Sequence, residues 1–293
     1  MTEVATSATS EQLLVIIDPV ARRVDSESAR IAKDVLSAGA ATKVCLPDGP
    51  EEFARMLARR GSRRPVVVGD DHALVRAVSL LHRQRELAGC VLSMVPVGAG
   101  SGVLSLARSL GVPTSAVAAA RAVLEGCERR LDLLVDDSDG VVVGTVGIPP
   151  LPAGPEPPAG ATAVGRPWLR TCQSLVRTLV PTRTTRVTAA SVPSAASGPA
   201  RLRVEVDGET LVDLGQPVEA VTVTPGGSGA VTVEVRPLSV GAAATPLRAD
   251  GHRVTVSGAD FRYRADALVS GPVRRRTWTV REGGLALTLP KPS

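Results

Sequence analysis

Two stretches of the chain decide its fold class: VVVGDDHAL at residues 66–74 and VPVGAGSG at residues 95–102. Each is an apolar run typical of a buried strand, followed by a short turn with Gly or Asp and then by a helical pattern. Turns of this kind in an α/β sheet present backbone N–H groups and a helix N-terminus, where nucleotide phosphates usually bind. The two stretches therefore predict a nucleotide-binding α/β region.

Around these turns, strands alternate with helices as far as residue 135. The predicted strands are 13–18, 43–46, 65–68, 91–97 and 130–135, and the predicted helices are 26–37, 50–60, 72–82, 103–110 and 115–124. Such alternation is typical of right-handed βαβ crossovers and a parallel sheet. We therefore predict a Rossmann-like α/β domain over residues 11–135.

The pattern changes after residue 136. Residues 149–167 are rich in Pro, Gly and Ala, which predicts an irregular linker, and residues 168–180 have the apolar spacing of an amphipathic helix. From residue 201 onward the chain reads as alternating strands, beginning with RLRVEV-DG-ETLVDL, a hairpin signature. We predict an antiparallel, sandwich-like β-rich domain over 136–293 and a site in the cleft between the two domains.

Composition limits the classes of function. Hydrophobic residues make up 44% and charged residues 22%, which is typical of a folded chain. A net charge of +5 with only 2% aromatic residues gives little support for nucleic-acid binding. No secretion signal and no long apolar run are evident, and the four cysteines are scattered, so we expect a cytoplasmic protein with free thiols.

The two turns together resemble the catalytic domain of diacylglycerol kinases and related lipid kinases, in particular bacterial members. That family has Gly-Gly-Asp-Gly-Thr at the first turn and Pro-Leu-Gly-Thr-Gly-Asn-Asp at the second. Further segments extend the resemblance over most of the chain: LVIIDP (14–19), LARSLGVP (106–113), RLDL (130–133) and RADAL (264–268).

The resemblance implies ATP-dependent transfer of a phosphoryl group to a lipid alcohol such as diacylglycerol, with Mg²⁺ as the usual partner of ATP. It implies that Asp266 is the general base, because RADAL matches the Val-Asp-Gly-Glu motif of the family. It places Gly69, Asp71, Gly98 and Gly100 at the nucleotide turns. A peripheral contact with the inner face of the membrane and a homodimer are compatible with this interpretation.

Departures from the family pattern support a second hypothesis, a catalytically inactive pseudokinase or a nucleotide- or lipid-binding module on the same fold. Asp70 and His72 replace glycines that would let backbone approach a phosphate, and Leu268 replaces the glutamate of the catalytic motif. The stretch SGAVT (228–232) lacks the carboxylates of the family's metal loop, so we predict no metal ligand. A kinase of the NAD kinase type is a third alternative, although its Asn-Glu motif is missing.

Charged residues outside these motifs have two interpretations each. Asp70 and Asp71 either cap a helix or bind a cation, and capping is the simpler hypothesis. The pair Arg22 and Arg23 either contacts phosphate or is solvated. The run at 274–276 either contacts anionic lipid or lies in an exposed loop before a strand.

Overall fold

A computed structural model describes residues 12–98, 104–149, 200–238 and 245–292. Its first part is built on four strands: β1 (Leu13–Ile17), β2 (Thr42–Cys45), β3 (Arg64–Gly69) and β4 (Val91–Pro96). They pair in parallel in the order β2-β1-β3-β4. All five residues of β1 are buried, and alternate residues belong to two different hydrophobic clusters. The strand is therefore covered on both faces, as its unbroken apolar pattern predicts.

Within the described ranges, six α-helices accompany these strands: α1 (Pro19–Val24), α2 (Ser26–Gly39), α3 (Pro50–Ala58), α4 (Asp71–Arg83), α5 (Ser105–Ser109) and α6 (Ala116–Glu125). Five of them lie where the sequence pattern predicts helices. The exception is α1, which is too short to show a periodic pattern. It begins because Asp18 accepts a hydrogen bond from the backbone N–H of Val20 and Pro19 occupies the first turn.

The remaining strands form the β-rich part of the molecule. They are β5 (Cys127–Asp136), β6 (Val141–Val142), β7 (Val146–Ile148), β8 (Ala200–Val206), β9 (Glu209–Val212), β10 (Pro217–Pro225), β11 (Val231–Pro237), β12 (Leu247–Gly251), β13 (Arg253–Ala265) and β14 (Leu268–Leu289). The predicted hairpin is confirmed, since β8 and β9 pair in antiparallel fashion around Asp207 and Gly208, both of which have positive φ. A valine-rich cluster forms the core of this part.

The structure does not show the predicted Rossmann-like parallel sheet over residues 11–135: four of the predicted strands pair in parallel, but β5 pairs in antiparallel fashion with β14 and β6. The long strand β14 pairs in antiparallel fashion with β13 and β5, and its last part pairs in parallel with β4. One path of paired strands therefore runs from the β-rich part into the parallel strands, and most of its pairings are antiparallel. The sequence pattern does not reveal this arrangement, because residues near the C-terminus supply the strand beside β4.

The described residues group into one compact unit by their contacts. The predicted boundary between residues 135 and 136 stays a prediction. The predicted linker at 149–167 and the predicted helix at 168–180 fall outside the described residues, apart from residue 149. Within the described part of the chain, no helix is long and apolar enough to cross a membrane.

Candidate functional site

The first turn of the predicted nucleotide region is built around Gly69, the last residue of β3. A Cβ atom added at Gly69 would lie 2.7 Å from the Cβ of Ala73 and 3.0 Å from the Cβ of Asp18. Glycine is therefore required here for close packing between strand ends and helix. Asp70 confirms the capping interpretation, because its Oδ1 accepts a hydrogen bond of 2.9 Å from the backbone N–H of Ala73 and starts α4.

Asp71 caps a different helix from the one in which it lies. Its buried carboxylate accepts hydrogen bonds from the backbone N–H groups of Leu106 at 2.8 Å and Ala107 at 3.0 Å, near the start of α5. Burial raises the pKa of Asp71, and these hydrogen bonds oppose the rise. Asp71 thus joins the first turn to the helix after the second turn. Gly98 lies half-buried just beyond β4, and Gly100 falls outside the described residues.

Asp266 lies at the tip of the hairpin that joins β13 to β14. Its carboxylate accepts three consecutive backbone N–H hydrogen bonds, from Val143 at 2.8 Å, Gly144 at 2.7 Å and Thr145 at 2.9 Å. Its own N–H donates to the carbonyl oxygen of Thr145 at 2.9 Å. Asp266 has a φ of 50°, a left-handed conformation that Asp adopts more readily than most residues. The loop at 143–145 therefore fixes this carboxylate in one position.

The surroundings of Asp266 change its acidity. Burial raises the pKa of Asp266 to about 6, the three backbone hydrogen bonds oppose the rise, and the negative charge of Asp71 adds to it. Asp71 and Asp266, 195 positions apart in the sequence, both lie near Leu106: Asp71 accepts its N–H, and a Cβ atom at Gly144 would meet both Leu106 and Asp266. The tertiary structure thus brings together two of the residues that the family resemblance assigned to the site.

Gly144 is a site residue that the sequence analysis missed. A Cβ atom at this position would lie 2.5 Å from Cδ1 of Leu106 and 3.0 Å from Oδ1 of Asp266. Gly144 therefore occupies the space between α5 and the hairpin tip. The available signal was an isolated glycine within the strand-like pattern VVVGTV (141–146), which often marks a close approach of the backbone to another group.

Arg76 is the second residue that the sequence analysis missed. Its Nη1 donates to Oδ2 of Asp18 at 2.7 Å, and its guanidinium lies 5.7 Å from the centre of the Phe53 ring. Asp18 follows β1 and Gly69 ends β3, so the pair lies where the strand order reverses. Ligands of open α/β sheets bind in the crevice at this point. About a third of the Arg76 side chain is exposed there.

The loop at 228–232, which the resemblance matched to the family's metal loop, is held by the carboxylate of Asp132. The N–H of Gly229 donates to Oδ2 of Asp132 at 2.7 Å, and the N–H of Gly283 donates to Oδ1 at 2.8 Å. Asp132 is buried in β5 and serves to fix these two glycines. Among the described residues, no group of three or more His, Cys, Asp or Glu side chains could hold a metal ion.

The basic run at 274–276 lies within β14, so the prediction of an exposed loop is wrong there. Arg276 is largely buried, bonds to Asp137 at 2.5 Å and lies 5.9 Å from the centre of the Tyr263 ring. Its role in this structure is therefore packing and ion pairing. The charge of this strand did not reveal that role because only the tertiary structure places Asp137 beside it.

Comparison with known proteins supports the fold. No family model matches the chain, and no curated protein matches it in sequence. Three solved structures from Bacillus anthracis strain Sterne do match, two described as a "putative diacylglycerol kinase" and one as a diacylglycerol kinase. Their TM-scores are 0.64, 0.65 and 0.63, at sequence identities of 12%, 13% and 12%.

These alignments cover 96% of this chain and 98%, 98% and 97% of the three structures. The likeness therefore extends over nearly the whole length of both proteins. The chain has the fold of these structures, which confirms at the level of fold the resemblance seen in the two turns. At such low identity the activity of this chain does not follow from the comparison.

Proposed function

We propose that this protein is a lipid kinase of the diacylglycerol kinase type, which transfers a phosphoryl group from ATP to the hydroxyl group of a lipid alcohol. One observation carries the proposal. Asp266, the residue matched to the family's general base, is held by three backbone hydrogen bonds, and burial raises its pKa to about 6. A general base works best when its pKa lies near the working pH, which this value approaches.

The proposed proton transfer uses Oδ2 of Asp266. Oδ1 accepts two backbone hydrogen bonds, whereas Oδ2 accepts only one, which leaves Oδ2 with capacity for a further proton. The lipid hydroxyl gives its proton to this oxygen while its own oxygen bonds to the γ-phosphorus of ATP. The bond from that phosphorus to the bridging oxygen then breaks, and ADP leaves with the electron pair.

Arg76 is the proposed contact for the nucleotide phosphates. Among its described contacts, one N–H group of Arg76 donates to Asp18, which follows β1, and about a third of the side chain is exposed. A planar guanidinium with donors to spare is well suited to phosphate oxygens. In this proposal the cation compensates for the glycines that Asp70 and His72 replace at the first turn.

The described carboxylates fit a protein-bound Mg²⁺ poorly. Asp71 uses both of its oxygens at the start of α5, and among the described residues neither Asp71 nor Asp266 belongs to a cluster that could hold a metal. Mg²⁺ requires near-octahedral oxygen ligation, usually with one or two carboxylates and the substrate phosphates. We therefore assign no step of the reaction to a metal bound by these residues.

The role of Asp71 and the composition of the first turn favour a second candidate, a binding module without catalytic activity. Asp71 serves as a helix cap, and the turn that follows β3 has lost two glycines of the family motif. Such a protein would bind nucleotide or lipid without turnover. It differs from the first candidate in one measurable property, phosphoryl transfer.

The test is transfer of labelled phosphate from ATP to diacylglycerol in mixed vesicles, with Mg²⁺ present. For a kinase we expect Asp266→Asn to lower the rate by about 10²–10⁴-fold, the usual contribution of a general base. Asp139→Asn is the matched control, because Asp139 also has a positive φ, at 63°, and lies in a turn. Full activity in Asp266→Asn contradicts the assignment of the base. Nucleotide binding by calorimetry without turnover in the wild type supports the binding module instead.

A further inference from the structure

A polar groove lies on the sheet formed by β8, β13 and β14, away from the residues assigned to the kinase reaction. Its cavity has a volume of about 470 Å³. Asp207, Gly208 and His252 line one end of it, and the rest of the lining is Glu205, Arg253, Thr255, Arg275, Thr277 and Thr279. We define this set as the threonine groove.

The floor of the groove consists of hydroxyl groups held in register. Thr255 lies opposite Thr277 in the β13–β14 ladder, and their Oγ1 atoms are 3.0 Å apart. Thr279 continues the same face of β14 and lies opposite Arg253. The opposite face of these strands carries buried Trp278, which belongs to the valine-rich core. The hydroxyl floor is therefore backed by a packed core and has a fixed geometry.

The acidic residues of the groove are already engaged. Glu205 pairs with Arg203 at 2.8 Å. The Asp207 carboxylate accepts hydrogen bonds from the backbone N–H groups of His252 and Arg253, which lowers the pKa of Asp207. The Glu205 charge is thus paired with a cation of the protein, and the ionised Asp207 carboxylate is engaged by backbone N–H groups, with His252 Nδ1 at 3.6 Å.

The two arginines of the groove differ from its acidic residues in their lack of partners among the described residues. Arg253 and Arg275 are exposed, and within the described part of the chain neither guanidinium has a hydrogen-bonding or ion-pairing partner. Arg253 lies opposite Thr279 in the ladder, and Thr279 is four positions from Arg275 on β14. The two arginines are therefore separated by about 13 Å along the strand direction. Two free guanidinium groups therefore bracket a floor of hydroxyls.

We propose that the threonine groove binds a small phosphorylated polyol. The guanidinium groups would bind the phosphate oxygens by charge-assisted hydrogen bonds, and the threonine hydroxyls would exchange hydrogen bonds with the hydroxyl groups of the ligand. A ligand with a phosphate and neighbouring hydroxyls matches both kinds of group, and the cavity suits a molecule of this size. This site is separate from Asp266 and stands independently of the proposed kinase activity.

The test is titration of the full chain with glycerol 3-phosphate, followed by calorimetry and by NMR chemical shifts of the backbone amides. We expect shifts centred on Thr255, Thr277 and Thr279, and no binding of glycerol itself. Arg253→Gln and Arg275→Gln should each weaken binding by about tenfold, the value of one charge-assisted hydrogen bond. Arg121→Gln, an exposed residue of α6 outside the groove, is the matched control and should bind as the wild type does.

Several outcomes would overturn the proposal. The first is an absence of binding at about 10 mM glycerol 3-phosphate, a concentration at which even millimolar affinity is visible. The second is unchanged binding in both arginine variants. Equal affinity for inorganic sulfate would show an unspecific anion site. Binding to phosphatidylglycerol vesicles without binding to the free ester would assign the groove to a membrane surface instead. Thr277→Val, which keeps the shape and removes one hydroxyl, should lower affinity for glycerol 3-phosphate but leave sulfate binding unchanged.

Discussion

Asp18 and Arg76 form a 2.7 Å ion pair that links the end of β1 to the side of α4. The side chain of Asp18 is 2% exposed, whereas that of Arg76 is 32% exposed. The pair therefore consists of a buried anion and a cation that reaches the solvent. This asymmetry has a measurable consequence for stability.

Removing Arg76 should cost more stability than neutralising Asp18. Arg76→Met leaves a buried carboxylate without its cation, whereas Asp18→Asn leaves an arginine that water can solvate. We expect Arg76→Met to lower the free energy of unfolding by about 2–3 kcal/mol. This cost is smaller than for a fully buried ion pair because Arg76 is partly exposed to solvent. Urea denaturation of both single variants and the double variant gives the coupling energy. A coupling near zero would contradict the importance of the pair.

Asp71 should act as a cap for α5. We expect Asp71→Ala to lower the free energy of unfolding by about 1–2 kcal/mol, the usual cost of a lost cap. Amide hydrogen exchange should accelerate at Leu106 and Ala107, which donate to this carboxylate. Asp70→Ala is the control, because it should accelerate exchange at Ala73 and leave α5 protected. Unchanged exchange in α5 after Asp71→Ala would refute the capping role.

Gly144 should tolerate no side chain. In Gly144→Ala the new Cβ would collide with Leu106 and press on the Asp266 carboxylate, so the hairpin tip must shift. We expect a loss of about 1–3 kcal/mol in stability from this overpacking, with a fall in any transfer activity that depends on Asp266. Gly147→Ala is the matched control in β7, because nothing lies within 4 Å of its added Cβ. Equal stability of the two variants, measured by urea denaturation, would contradict the packing argument.

The raised pKa of Asp266 should make both activity and stability depend on pH. If Asp266 is the base, the transfer rate should fall about tenfold for each pH unit below about 6, because only the carboxylate accepts a proton. A rate that is independent of pH between about 5 and 7 would argue against Asp266 as the base.

The effect of pH on stability is opposite to its effect on the transfer rate, because the stability that Asp266 contributes falls as the pH rises. A carboxyl whose pKa is higher in the folded protein than the ordinary 3.8 holds a proton that the unfolded chain has lost. Its contribution is fully present below pH 3.8 and is lost as the pH rises to about 6. The difference in unfolding free energy between the wild type and Asp266→Asn should change across this window. Parallel stability curves for the two proteins would contradict the raised pKa.

Much of the architecture around the first turn followed from local pattern. Continuous apolar runs predicted β1, β3 and β4, and helical spacing predicted α2, α3, α4 and α6. The dipeptide Asp207–Gly208 predicted the β8–β9 hairpin, because both residues accept positive φ. These features depend on neighbours within a few residues, so the sequence carries their signal directly.

The partners of distant residues could not be predicted in this way. The pattern LALTL at 285–289 indicates a strand but does not say that it pairs with β4, 195 residues earlier in the chain. In the same way, the two aspartates at 70 and 71 read as one capping pair, yet Asp71 caps α5 across a tertiary contact. Strand register and side-chain partners depend on which elements pack together.

The sequence by itself determined most of the strands and helices around the first turn, the β8–β9 hairpin, and the fold-family resemblance that the solved structures support. Only the tertiary structure decided that Asp71 and Asp266 both come close to Leu106 of α5, that Gly144 separates the hairpin tip from α5, and that Arg76 pairs with the buried Asp18 at the end of β1. The physical reason is that local propensity acts over a few residues, whereas burial, charge interaction and close packing arise only when distant segments meet.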